Sequence, residues 1–303
     1  MHGPIQSYEQ LIGQAVAIAA EGRRKRVAVA AAQDADVISA VSQAQADGFL
    51  EATLVGDESK IRTLANENKT DLSRLAIVNQ TDVEKAAHTA VRMATDKKAD
   101  IIMKGFLPTS AILKVVLDKQ YGLRGANTLS HCAVLDIPGY HKLLNFTDGG
   151  MVVKPTPEQK IQIIDNAVLV GRALGLTPVK VAVSVLGNSE FLAEARRHTP
   201  DMTIDGPLSF ELATSRRAAE KSGRSGPVAG DADVYVVDSI EECNVVAKSL
   251  INFADAVFAG VIVGAKVPVS LVSRTDTVKN KMASLAIACL IADYYAENRT
   301  WEN

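Results

Sequence analysis

The chain has 303 residues, a formal net charge of −2, 22% charged and 47% apolar residues, and only 5% aromatics. That length favours a core divided over two domains. The sparse aromatics and slight negative charge exclude broad binding to nucleic acid or to an acidic membrane, so any anion must be held by small basic clusters.

The three cysteines, Cys132, Cys243 and Cys289, form no CxxC pair, and the five histidines lack metal-ligand spacing. A reduced chain without a bound metal is the expectation. The stretch MHGPIQSYEQ carries no apolar signal core, and no run reaches the roughly 18 apolar residues of a membrane span, which predicts a cytoplasmic protein.

Along the chain, apolar runs alternate with amphipathic patterns, the rhythm of a parallel α/β protein. Tyr8 to Glu21 repeats apolar residues at helical spacing, and RVAVAAA at 26–32 suits a buried parallel strand. A helix is predicted at 34–47 with Asp34 as its cap, a strand at 52–56, a helix at 57–67, a strand at 75–79, a helix at 82–95 and a strand at 99–105. A Pro-Thr-Ser turn at Pro108 to Ser110 opens a further helix with Lys114 about one turn in. The Gly- and Pro-rich stretch DGGMVVKPTPEQK, 148–160, marks a domain boundary ahead of a helix at 158–174. Strands at 179–187, 233–238 and 259–266 are predicted to be central and parallel. The last helix, 277–298, carries an apolar stripe through Val278, Met282, Leu285, Ala286, Cys289 and Leu290 that needs a core to lie on. The predicted fold is therefore α/β with two domains, each a mostly parallel sheet flanked by helices. The first takes 1–147 plus 277–303 and the second 148–276.

No GxGxxG joins a strand to a helix and no GxxxxGK[ST] occurs, which disfavours a nicotinamide dehydrogenase and a nucleoside-triphosphate hydrolase. In open α/β sheets ligands bind beyond the carboxyl ends of the strands. There the sequence offers SRTD, 273–276, which follows the strand-like PVSLV and opens a helix, so that N–H groups and a positive helix end lie beside Arg274. MKGFLPTSAILK, 103–114, repeats that arrangement, and IDGPLSF and GPVAGDAD supply glycine turns. A turn with a helix cap is the bland alternative at each place. Several anion pockets together point to a substrate carrying several phosphates.

FTDGGMVVKPTPEQK, IDGPLSFELA, GPVAGDADVYVVDSIEECNVVAKSL and GVIVGAKVPVSLVSRTD follow one another in the order found in the phosphate acetyl/butyryl-transferase family, which the chain resembles from about Met103 onward. LRGANTLSHCAVLDIP, 123–138, resembles the butyryl branch in particular. The resemblance implies a two-domain enzyme of isocitrate/isopropylmalate dehydrogenase-like architecture, usually a homodimer or higher homo-oligomer, with its ligand cleft between the domains. It implies reversible acyl transfer, acyl-CoA plus phosphate giving acyl phosphate plus coenzyme A, with no metal and no redox cofactor. Coenzyme A or acyl-CoA, and inorganic phosphate or acyl phosphate, are then the expected partners.

By the same resemblance Ser273 and Arg274 are catalytic. The serine would donate a hydrogen bond to the developing oxyanion or thiolate, and the guanidinium would fork onto phosphate or the acyl carbonyl. Asp276 is a helix cap, an orienter of Arg274 or a proton acceptor. Acetyltransferase members carry a carboxylate seven positions after the serine, where this chain has Asn280. Further substrate-binding positions are Lys104, Thr109, Ser110, Lys114, Ser130, His131, Asp148, Asp205, Gly206, Pro207, Asn244, Gly264, Lys266 and Asn280 itself. Cys243 stands where the family usually has glycine, which predicts a changed turn before Asn244. Phosphate butyryltransferase activity by direct displacement in a ternary complex is the leading expectation, since no His or Lys near SRTD offers the activating base of a nucleophilic serine. The alternatives are phosphate acetyltransferase activity, a catalytically weakened acyl-CoA-binding protein, and a hydroxy-acid dehydrogenase that would need metal and nucleotide.

Overall fold

A computed structural model describes residues 2–125, 127–184 and 188–298. The chain divides into two compact units, one of residues 9–126 and 259–303, the other of 1–8 and 127–258. Helix α1 (Tyr8–Ile18) runs into a short π-helical turn that closes at Gly22. There follow β1 (Lys25–Ala30), α2 (Ala35–Ala46), β2 (Leu50–Gly56), α3 (Glu58–Glu67), β3 (Ala76–Asn79), α4 (Val83–Thr95), β4 (Ile101–Lys104) and α5 (Thr109–Val116). Asp34, Asp57 and Asp82 cap α2, α3 and α4, each accepting from a backbone N–H three residues on at 3.0 to 3.1 Å. Caps of this kind each stabilise a helix by about 1 kcal/mol.

The middle of the chain forms β5 (Ser130–Asp136), β6 (Leu144–Thr147), α6 (Pro157–Ala173), β7 (Val179–Val183), α7 (Ser189–His198), β8 (Met202–Asp205), α8 (Phe210–Thr214), α9 (Arg216–Lys221), β9 (Val234–Val236) and α10 (Ile240–Phe253). The last three residues of the strand predicted at 179–187 lie outside the described residues. The chain ends with β10 (Val257–Val263), β11 (Val269–Ser270) and α11 (Val278–Asn298).

In the unit of residues 9–126 and 259–303 the strand order is β3-β2-β1-β4-β11-β10. All neighbours there are parallel except β10, which pairs antiparallel with β11. The parallel reading of 259–266 is thus corrected. Gly264, at φ +96°, starts a turn that reverses the chain between β10 and β11, a conformation that suits glycine. In the other unit the order is β5-β6-β9-β7-β8, with β5 and β6 antiparallel and the remaining pairs parallel. The β6–β9 ladder ties residues 130–147 to the strands that follow them, so they lie with 148–258 and not with 9–126.

Helix α11 is buried nearly all round, Ser284, Ile287 and Ile291 as well as the predicted stripe from Met282 on, with Val278 half-buried, and packs on α2, β1, β4 and β11. An all-round buried helix is a core element, which fixes the segment just before it in place.

Candidate active site

The parallel strands β1, β4 and β11 end together, and the segments leaving them carry the chemistry. The ladder pairs Ser270 with Met103, so the chain leaves β11 beside Lys104. Gly105 N donates to Ala30 O at 2.9 Å and Phe106 N to Ala31 O, which anchors the β4–α5 loop to the end of β1. No side chain fits at Gly105, since a Cβ there would sit 2.3 Å from Ala31 O.

SRTD forms a closed turn. Ser273 N donates to Asp276 Oδ2 at 2.6 Å, Asp276 N returns to Ser273 O at 3.2 Å, and the buried Lys281 ammonium donates to Asp276 O. The cap of α11 is Thr277, whose Oγ1 accepts from Asn280 N at 3.2 Å; the cap predicted at Asp276 is one residue off. Arg274 makes no ion pair among the described residues, Asp276 included, and its guanidinium lies 4.9 Å from the Phe106 ring centroid. The hydroxyl of Ser273 meets Thr275 Oγ1 at 3.1 Å.

Lys104 is 5% exposed, and among the described residues its ammonium reaches two carbonyls, Gly105 O and Val272 O, each at 3.4 Å. No carboxylate pairs with it among the described residues. Burial lowers its pKa, the Arg274 charge lowers it further, and Asp34 partly opposes both. Lys104 thus reaches the residue just before SRTD across a long stretch of sequence, and Lys281, five residues on, reaches Asp276 O, although neither bonds the Ser273 hydroxyl.

Thr109 and Ser110 are the first two residues of α5, whose cap position is Pro108, so their hydroxyls are not spent on capping. Among the described residues those hydroxyls make no hydrogen bond. Lys114 faces elsewhere, lining a cavity of about 90 Å³ with Glu84, His88 and Asp118. Asn280 is buried in the first turn of α11. Gly264 and Lys266 sit in the β10–β11 turn, at the opposite end of β11 from SRTD, with Lys266 N bonded to Leu123 O. They are not brought to Ser273.

The second group of predicted positions belongs to the other unit. Asp148 is buried, and its carboxylate accepts from the N–H groups of His131, Gly150, Met151 and Val152 at 2.9 to 3.1 Å. Burial pushes its pKa up against those four donors, which favour the charged form. Asp148 therefore shapes the 149–152 loop, and Asp148→Asn should destabilise the protein by about 1 to 3 kcal/mol, since an amide N–H would then face the N–H of Val152. Thermal unfolding checks this; an unchanged Tm would show that the carboxylate is dispensable.

Ser130 is fully buried and its Oγ accepts from Asn166 Nδ2 at 2.9 Å, while the His131 ring tilts on Phe258 at 6.1 Å. Asn244 Nδ2 donates to Gly149 O and Ile240 O, both at 3.0 Å. Cys243 lies inside α10, not in a turn, and its Sγ packs on Gly149, where a Cβ would come within 2.8 Å of it. Asp205 Oδ1 accepts from Gly206 N at 2.8 Å, and Pro207 follows in the same turn after β8. All three cysteines are buried and unpaired; burial pushes the Cys132 thiol up to about 12 and raises the other two. None is poised as a thiolate nucleophile. Among the described residues no His, Cys, Asp and Glu cluster could hold a metal ion.

The chain is thus an α/β protein in which a hydroxyl, a guanidinium with no ion pair among the described residues and a buried lysine lie at the carboxyl ends of parallel strands, where ligands of such sheets bind. A family model described as Phosphate acetyl/butaryl transferase matches residues 11–91 and 79–289. Phosphate butyryltransferase of Clostridium acetobutylicum is 38% identical over 281 residues, 88% of this chain and 93% of that protein. Phosphate acetyltransferase of Thermotoga maritima is 34% identical over 286 residues, 90% and 97% of the two chains. The crystal structure of a branched-chain phosphotransacylase from Enterococcus faecalis V583 matches with a TM-score of 0.77 at 32% identity, covering 88% of this chain and 99% of that one. The chain belongs to the phosphate acetyl/butyryl-transferase family and is a phosphate acyltransferase.

Proposed function

We propose that the chain transfers a short acyl group, butyryl in first place, between coenzyme A and inorganic phosphate by direct displacement in a ternary complex. The observation that carries this reading is the pair of cations, Lys104 and Arg274, which among the described residues have no carboxylate partner and lie beside Ser273. Phosphate, held by these charges, attacks the thioester carbonyl through one oxygen. The carbonyl π pair moves to oxygen, Ser273 donates a hydrogen bond to that oxyanion, and collapse breaks the C–S bond to release coenzyme A as a thiolate. In reverse, Asn280 offers no carboxylate for the thiol proton, which leaves Asp276 or the phosphate as its acceptor. Thr109 and Ser110, whose hydroxyls make no hydrogen bond among the described residues, are further phosphate donors in this reading, and Ser130 and His131 belong to the acyl side. The family resemblance supports a two-domain enzyme with its ligands in a cleft between the domains, acting as a cytoplasmic homo-oligomer without metal or redox cofactor.

Free thiol released from butyryl-CoA should rise with added phosphate and be indifferent to EDTA. If phosphate makes no difference at micromolar enzyme, the transferase reading fails and a binding protein of the same fold takes its place. Across acetyl-, propionyl-, butyryl- and branched acyl-CoA, kcat/KM should peak at four carbons. An acetyl preference greater than about tenfold would reassign the chain to acetyl transfer, since one methylene is worth only about 1 to 3 kcal/mol in such a pocket.

A further inference from the structure

Phe106 is 46% exposed, a large ring on the surface of the loop between β4 and α5. Its backbone is nevertheless fixed, through its own N–H on Ala31 O and through Gly105, which the end of β1 leaves no room to enlarge. The ring thus stands exposed on an anchored loop, and the Arg274 guanidinium lies over it. No carboxylate competes for that guanidinium among the described residues, and the Lys104 charge repels it. An arginine in that setting would sample many rotamers unless something neutral but attractive held it. An aromatic face does so without neutralising the charge, whereas a carboxylate would fix the arginine and also cancel its pull on an anion.

We propose that Phe106 is a positioning residue that holds the Arg274 guanidinium by a cation–π contact and keeps it set for phosphate. This rests on the reading of Arg274 as the group that grips phosphate. Phe106 does not touch the reacting atoms in this account; it acts through Arg274 alone.

The test is steady-state kinetics with phosphate as varied substrate, on Phe106→Ala, Phe106→Leu and Phe106→Trp, each with Arg274 and with Arg274→Ala. Phe106→Ala and Phe106→Leu should raise KM for phosphate roughly two- to fivefold with KM for butyryl-CoA unchanged, and Phe106→Trp should match wild type. Progressive fluorination of the ring, which drains charge from its face at nearly constant size, should lower kcat/KM step by step. In the Arg274→Ala background all of these differences should vanish. A leucine as good as phenylalanine, no change in any variant, or ring effects that persist without Arg274 would each overturn the proposal. Full activity of Arg274→Ala by itself would instead refute the functional reading on which the proposal rests.

Discussion

Arg274→Ala should lower kcat/KM for phosphate-dependent release of coenzyme A by roughly 30- to 1,000-fold, about 2 to 4 kcal/mol of transition-state stabilisation. The size follows from what the side chain does not do. It pairs with no carboxylate among the described residues and its one aromatic contact is on an exposed ring, so its removal leaves no buried partner stranded. Stability should therefore hardly change, and circular dichroism melts of wild type and variant should overlay. Arg274→Lys should recover little, since an ammonium cannot fork onto two phosphate oxygens. Wild-type kcat/KM in Arg274→Ala would remove the guanidinium from the reaction.

Lys104→Met should do the opposite to stability while damaging phosphate use. A buried ammonium held by two long carbonyl contacts is costly to desolvate, and an apolar side chain of similar length should raise stability by about 1 to 2 kcal/mol. The sign of its pH dependence follows from the lowered folded pKa. The unfolded chain binds this proton more tightly, so the penalty is full below the folded pKa and fades as pH rises toward the ordinary lysine range. The stability gap between Lys104→Met and wild type should accordingly narrow in alkali. The same variant should raise KM for phosphate at least about tenfold, because the cation that an incoming dianion would compensate is gone. A less stable Lys104→Met with unchanged KM would mean that Lys104 serves the fold and not the substrate.

How far the sequence carried these conclusions depended on how local each interaction is. The caps at Asp34, Asp57 and Asp82 act over three residues; the sequence names Asp34 as a cap, and the predicted helices at 57–67 and 82–95 begin on the other two. Ser273 and Arg274 stood out because polar residues between a strand and a helix are a local pattern too. The direction of β10 was not legible, since its composition is that of any buried strand and only the turn at Gly264 reverses it. Gly264 and Lys266, which the family resemblance gives as substrate-binding positions, are carried by that hairpin to the end of β11 away from SRTD. Lys104 meets Val272 across 168 positions, which no spacing rule can foresee. Asp148 read as a ligand-facing carboxylate, yet its oxygens are occupied by four backbone donors, a fact set by loop geometry. Phe106 gave no signal at all, one apolar residue in a loop being ordinary until the guanidinium is seen on its face.

The mechanism is tested most directly by incubating the enzyme with butyryl-CoA and following both phosphorus and protein mass. With phosphate present, ³¹P spectra should show an acyl phosphate accumulating in step with free coenzyme A, one for one. With phosphate withheld, intact-mass spectra should show unmodified protein and no thiol should appear. An acylated protein formed before phosphate is added, or thiol release that ignores phosphate, would contradict direct displacement at Ser273 and Arg274.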